Sequence, residues 1–400
     1  MMPTAVIQSI RRHVGQTALQ CLFGAAALTV NIPGSAQVVG FALEPKAELV
    51  NGVIKPVLSP QPDRAVFFQF TGAKFRKIGE VAVPTNFQGP PSSVAVSADG
   101  ALALVSAAQR IDPQDASKFS PDNRVSVIDL NASPIRVTQT LELTVSPASL
   151  AMNPAGTMVL AMHPGDDSVT VLQIDNKTAT VVEKVSLGKG SGPNAAAFTP
   201  DGRSVLITRG GDHKVSVFAI ENHRLAPKSL RDMGAGLRPL SLSLCGKTGY
   251  AVVGSMGLGG TGDADTVSLI DMTAAPARVV DTVTVGQGPE GIACAPDGRH
   301  AVVAFQNGSN RPTQSPFYAP SSKVVLLKVE GKRLHRLAEL PIGIWSQGAL
   351  FLDDSRTVIA ESLDDRALHL LQIDDGVFQV AAPPIVFAEG GPMAHGVAGR

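Results

Sequence analysis

Apolar residues in this chain come in short runs, and each run ends in a turn rather than continuing at helical spacing. Residues 288–305 (GPEGIACAPDGRHAVVAF) set the form: Pro, two residues, a short apolar run, a Pro-Asp-Gly turn, a second apolar run. The same phrase returns at 193–208 (PNAAAFTPDGRSVLIT), 147–162 (PASLAMNPAGTMVLAM) and 91–106 (PSSVAVSADGALALVS), with weaker copies from Pro239 and Ser346. Its turn positions are Gly100, Gly156, Gly202, Gly249, Gly298 and Ser355, at spacings of 56, 46, 47, 49 and 57 residues. A period in that range built only of strands predicts a β-propeller with one four-stranded blade per repeat.

Each repeat supplies strands A to D, from the central channel outward. In the first they are expected at 93–96, 101–106, 125–130 and 137–143. These runs are apolar on both faces, as a blade covered by neighbours on both sides requires. Residues 390–397 (GGPMAHGV) repeat the opening phrase once more. They are expected to form strand A of a last blade whose outer strands are 65–70 and 77–83, with 37–64 an irregular lead-in containing Pro45, Pro56 and Pro60. The expected architecture is therefore all-β, a seven-bladed propeller over 37–400 closed by strands from both ends of the chain. Such closure removes exposed sheet edges.

The phrase P-x-x-ψ-A-x-x-P-D-G-x-x-ψ, followed after a turn by Val-Ser-Val-Ile-Asp at 125–129, resembles the YVTN-type propeller repeat shared with lactonase-like (6-phosphogluconolactonase-like) propellers. The name-giving Tyr-Val-Thr-Asn becomes Ala301-Val302-Val303-Ala304 here, and Tyr250 keeps a Tyr near that point. The resemblance implies the fold and admits hydrolysis of a small acidic lactone. No catalytic residue is matched position by position.

Composition changes this picture little. Lys plus Arg and Asp plus Glu number 34 each, so net charge supplies no attraction to nucleic acid or anionic membrane. No C-x-x-C-H, H-E-x-x-H, zinc-type C-x-x-C or G-x-S-x-G occurs, so neither cofactor nor metal is implied. The Asp166-Asp167 and Asp364-Asp365 pairs lack the oxygen-ligand spacing of a calcium loop. Residues 1–36 have the form of an export signal. Arg11, Arg12 and His13 precede the apolar run 17–30, and Gly34-Ser35-Ala36 follow. That run is too short to span a bilayer. A monomer in the periplasm or outside the cell is expected.

Residues that break the repeat are the candidates for function. The residue after each opening Pro, or its equivalent, starts strand A at the channel rim: Ser92, Ala148, Asn194, Leu240, Glu290, Gln347 and His395. D–A and B–C connections share one face, so the ends of strand B bring His163, Arg209 and Glu361 there too. Glu290, His395 and Glu361 are the candidate acid–base groups. Asn194, Arg238, Gln347, Trp345, His163 and Arg209 are the candidate ligand-binding groups. The plainer alternative is a rim that is merely wet and polar. Three long insertions, 107–120, 255–263 and 307–321, emerge on the same face, the last carrying Phe317 and Tyr318. Two functions stay open: a scaffold binding a small molecule or protein through this face, or a lactone hydrolase. Finally, counting back from Gly249 and Gly298 puts Cys245 and Cys294 at the same position of successive blades. Equivalent side chains point the same way round the ring, which predicts two buried free thiols.

Overall fold

The computed structural model describes residues 36–259 and 261–399. Apart from residue 36, the targeting segment expected over 1–36 lies outside them. Among the described residues there is no helix, and none is long and apolar enough to cross a membrane. Seven four-stranded antiparallel sheets form a seven-bladed β-propeller. Blade 1 is Val94–Val96, Leu102–Ser106, Arg124–Asp129 and Arg136–Glu142, and blades 2 to 6 follow in sequence order. Blade 7 pairs Gly391–Val397 with Gln37–Glu44, then Arg64–Thr71 and Lys74–Ala82.

Gln37–Glu44 corrects the expectation for the lead-in. This segment is strand B of the closing blade, and Val39, Phe41, Ala42 and Leu43 lie in the core. Beyond it, Ala47–Val50 and Val53–Pro56 form a hairpin turning at Asn51-Gly52, both with positive φ. Asn-Gly is the strongest short-range hairpin signal. The prolines flanking this stretch make it read as irregular, yet they fall at the hairpin's boundaries.

The core is seven slabs, each between successive blades. Strand B of blade 2 is buried throughout, whereas strand D of blade 1 alternates in and out of solvent. The A–B turns are built as their residues dictate. Asp99, Asp201 and Asp297 each accept from the backbone N–H two residues on, and Gly100, Gly202 and Gly298 take φ near +70°.

Blade 4 departs from this turn. Thr248 N–H bonds Cys245 O where Gly298 N–H bonds Ala295 O, so Thr248 holds the place of Gly298 and Gly249 is one residue late. Cys245 therefore matches Ala295, while Cys294 matches Leu244. A shift of one residue turns a side chain to the opposite face of its strand. The two thiols face each other across the interface of blades 4 and 5 and form a disulfide with Cα atoms 4.9 Å apart. The expectation of free thiols rested on the displaced glycine.

Candidate functional site

A bulge follows the opening Pro of several A strands. Register breaks between Pro193 and Ala196, Pro239 and Ser241, and Pro289 and Gly291. Bulges re-aim the extra residue, and here that residue starts the strand at the channel mouth. In blade 7 the bulge residue is Met393. His395 pairs with Phe41 and corresponds to Ile292, deeper in the strand than its expected rim position.

Glu290, Gln347, Glu361 and His395 gather on blades 5, 6 and 7 as two pairs, Glu290 with Gln347 beside Gly89 and Glu361 with His395 beside Gly348, the residue after Gln347. Glu290 is 7 % exposed and its Oε1 accepts a hydrogen bond from Gln306 Nε2 at 2.7 Å. Burial pushes its carboxyl up to about 7, against the opposing pull of Arg238. No cation pairs with it among the described residues. The neighbouring A strands approach closely at Gly291 and Gly348, where a Cβ on Gly291 would stand 2.6 Å from Gly348 Cα. Glu361 is fully buried, its Oε1 2.9 Å from His395 Nδ1. Its Oε2, like Gln347 Oε1, has no partner. A methyl on Gly348 would meet both Glu361 Oε2 and His395 Nδ1, at 2.4 and 3.0 Å.

Over this group runs a strap, residues 84–92, which sequence reasoning missed. Thr85 is gripped by a buried ion cluster: its N–H by Asp63, its hydroxyl by Glu44 and its carbonyl by Lys46. Lys46 lies 2.6 Å from Glu44 and 2.7 Å from Asp63. Phe87 packs against Phe119 of the first insertion, with ring centroids 4.4 Å apart and the rings tilted by 46°. Asn86 reaches Ala148 O in blade 2, and Gly89 lies against blades 5 and 6. A methyl on Gly89 would stand 2.5 Å from Glu290 Oε2, so only glycine leaves that oxygen clear. The run Gly89-Pro90-Pro91 was the available signal, since such runs mark chain that neither helix nor strand can use.

The other candidates are committed elsewhere. His163 is fully buried and binds Ser146 O at 3.0 Å and Thr170 Oγ1 at 2.8 Å, and burial lowers its pKa. Arg209 pairs with Asp212 and bonds Ser216. Both sit at the strand-B position of Phe305, whereas Glu361 matches Ala304, one residue earlier, and so points the other way. That offset separates Glu361 from the two residues grouped with it by sequence. Asn194 stays at the rim of blade 3, its Nδ2 3.3 Å from Pro239 O. Arg238 is exposed and close enough to Glu290 to lower its pKa. Trp345 is 3 % exposed and packs with Leu363 and Met393 in a small apolar cluster. Of the nine candidates, four converge, Arg238 acts on one of them through its charge, and four do not join them.

A buried carboxylic acid pushed up to about 7 that lacks a cation partner can take up and return a proton. An imidazole held through Nδ1 keeps Nε2 for a bound molecule, and no partner meets that Nε2 among the described residues.

The family model for the seven-bladed β-propeller lactonases matches residues 67–235. This stretch contains none of the four converging residues. No curated protein matches the chain. Among solved structures it is similar to a Bacteroides fragilis protein described as a candidate 6-phosphogluconolactonase, at 16 % identity and TM-score 0.66, covering 91 % of this chain and 98 % of that one. It is similar to the periplasmic gluconolactonase of Pseudomonas aeruginosa, at 14 % identity and TM-score 0.65, covering 91 % and 99 %. It is also similar to hydrazine synthase of Kuenenia stuttgartiensis, at 18 % identity and TM-score 0.55, covering 74 % and 79 %. These likenesses show the fold, and a fold by itself assigns no chemistry.

Proposed function

We propose that the protein hydrolyses a small lactone at the mouth of its propeller. The observation that carries this reading is Glu290, a buried carboxyl without a cation partner whose pKa of about 7 suits it to both taking and giving a proton. Ionised Glu290 accepts a proton from water through Oε2. The resulting hydroxide adds to the lactone carbonyl carbon. The bond from that carbon to the ring oxygen then breaks, and the ring oxygen takes the proton back from Glu290, leaving an open hydroxy acid. His395, held by Glu361, orients the water by accepting a hydrogen bond at Nε2. Arg238 is placed to attract an acidic substituent. The lactonase family match and the two lactonase-named neighbours support this reading.

Glu290→Gln tests it. The variant keeps the acceptor for Gln306 and removes the base, so kcat should fall by about 10²–10⁴ in a folded protein. Wild-type kcat/KM should rise with pH through about 7, because the ionised form is the base. Full activity in Glu290→Gln overturns the mechanism.

The scaffold reading keeps one observation in its favour, the half-exposed Phe317 and Tyr318 on the third insertion. Export is part of the proposal as well. A disulfide suits an oxidising compartment, in agreement with the signal-like segment 1–36. Finding the untagged protein in the cytosol with residue 1 intact would refute it.

A further inference from the structure

In blades 3 to 6 two positions face one another at the channel mouth: the residue after the opening Pro, or its equivalent, and the residue that follows strand B. One backbone bond fixes their relation. Gln306 N–H donates to Gly288 O at 3.0 Å in blade 5, as Gly210 does to Gly192 O in blade 3, Met256 to Arg238 O in blade 4 and Leu363 to Trp345 O in blade 6. The four accepting residues share φ between 52° and 64°. The facing pairs are therefore Asn194 with Gly210, Leu240 with Met256, Glu290 with Gln306, and Gln347 with Leu363. In blade 3 a Cβ on Gly210 would stand 2.4 Å from Asn194 Nδ2, so side chains at these two positions meet. Of the four blades, blade 5 alone fills them with a carboxyl and an amide donor.

Gln306 is fixed on both sides of its own backbone. Its N–H is spent on Gly288 O, and its carbonyl accepts from Ser309 N–H at 2.9 Å. Gly288 is held in turn, its N–H donating to Asp265 at 2.9 Å. The Gln306 amide then meets Glu290 Oε1 at 2.7 Å. No hydrogen bond reaches Glu290 Oε2 among the described residues, and that oxygen faces Gly89 of the strap. The two oxygens of one carboxyl are thus unequal, one committed and the other free. An amide exchanges no proton near neutrality, but it offers Nε2 to an ionised carboxylate and Oε1 to a protonated one. The first bond is the stronger, because its acceptor is charged. Gln306 can therefore hold Glu290 in both states while favouring the ionised one, against the burial that opposes it.

We propose that Gln306 is a positioning residue for Glu290: it pins Oε1 and so makes Oε2 the oxygen that exchanges the proton with water. Its part in turnover rests on the hydrolase reading, whereas its hold on the charge of Glu290 does not.

Carbon-13 NMR of protein labelled at the glutamate side-chain carboxyl follows Glu290 directly, its signal identified by its absence in Glu290→Gln. The variants are Gln306→Met and Gln306→Leu. Met and Leu already hold this place in blades 4 and 6, so the turn accepts either, and circular dichroism checks folding. In both variants the titration midpoint of Glu290, near 7 in the wild type, should rise by about half to one pH unit. For a lactone substrate the pH profile of kcat/KM should move up with it. On the high-pH plateau kcat should fall about tenfold or more while KM changes by less than about twofold, as a misaimed base requires. A residue that only packs would lower kcat equally at every pH and leave both midpoints in place. Unmoved or lowered midpoints in both variants therefore overturn the proposal. So does a plateau kcat equal to that of the wild type, since Oε2 would then be aimed without Gln306. If the wild type turns over no lactone while the NMR midpoint still rises in the variants, the hydrolase reading fails and Gln306 keeps its hold on the charge of Glu290.

Discussion

Replacing Glu290 by Gln should stabilise the protein while removing its activity. The folded carboxyl titrates near 7 and the ordinary value is 4.5, so folding favours the protonated form. Stability from this group is fully present below about pH 4.5 and is lost as pH rises to about 7. By linkage, a shift of this size costs the ionised wild type about 3 kcal/mol at pH 7 and above, and under about 1 kcal/mol at pH 5. Glutamine occupies the same volume, keeps an oxygen for Gln306 and carries no charge to desolvate. Urea unfolding of both proteins at pH 5 and pH 8 measures the difference. The variant should be more stable at pH 8 by up to about 3 kcal/mol, with the gap nearly closing at pH 5. A variant that is less stable by the same amount at both pH values would refute the reasoning, since Glu290 would then be held by its contacts and not strained by its charge.

Three further outcomes follow from the fold. Unfolding without reductant should expose no free thiol from Cys245 or Cys294, and Cys245→Ala with Cys294→Ala should lose about 2–4 kcal/mol against the oxidised parent; two titratable thiols would contradict the pairing. Removing residues 390–400 deletes strand A of blade 7 together with His395, and should cost both soluble monomer and activity; a truncated protein melting cooperatively at the parental temperature is the adverse result. Gly89→Ala should depress kcat/KM by tenfold or more with little change in melting temperature, because the methyl points at Glu290 Oε2; unaltered kinetics would show that the strap lies clear of the reaction.

The architecture was legible in the sequence because propeller turns are local. Asp-Gly pairs carry their own chemistry, and the strands expected for blade 1 lie within one residue of Val94–Val96, Leu102–Ser106, Arg124–Asp129 and Arg136–Glu142. What failed was whatever depends on partners distant in the chain. Gln37–Glu44 has no turn linking it to Gly391–Val397, so nothing near it reports its pairing. Register failed where one residue mattered. Gly249 misplaced Cys245, and His395, three residues after its opening Pro392, was aligned with Glu290 when Met393 holds that place. The candidate site was half legible. Glu290, Gln347, Glu361 and His395 stood out by breaking the repeat, but the burial that makes Glu290 unusual comes partly from Gly89, some 200 residues away. No pattern near position 290 could announce it.

Ring closure also orders events in time. Gln37–Glu44 leaves the ribosome early, and its inner partner Gly391–Val397 follows roughly 350 residues later. At translation rates of about 5–20 residues per second, that edge waits on the order of 20–70 s for its mate. Throughout this interval the nascent chain carries an open β-edge able to recruit a second copy. His395 rides on the late strand while Glu361 waits on blade 6, so the dyad exists only after the ring has shut. A chain that stalls, is clipped or closes in the wrong register leaves Glu361 and His395 apart, so turnover by the proposed hydrolase would report that the ring had closed.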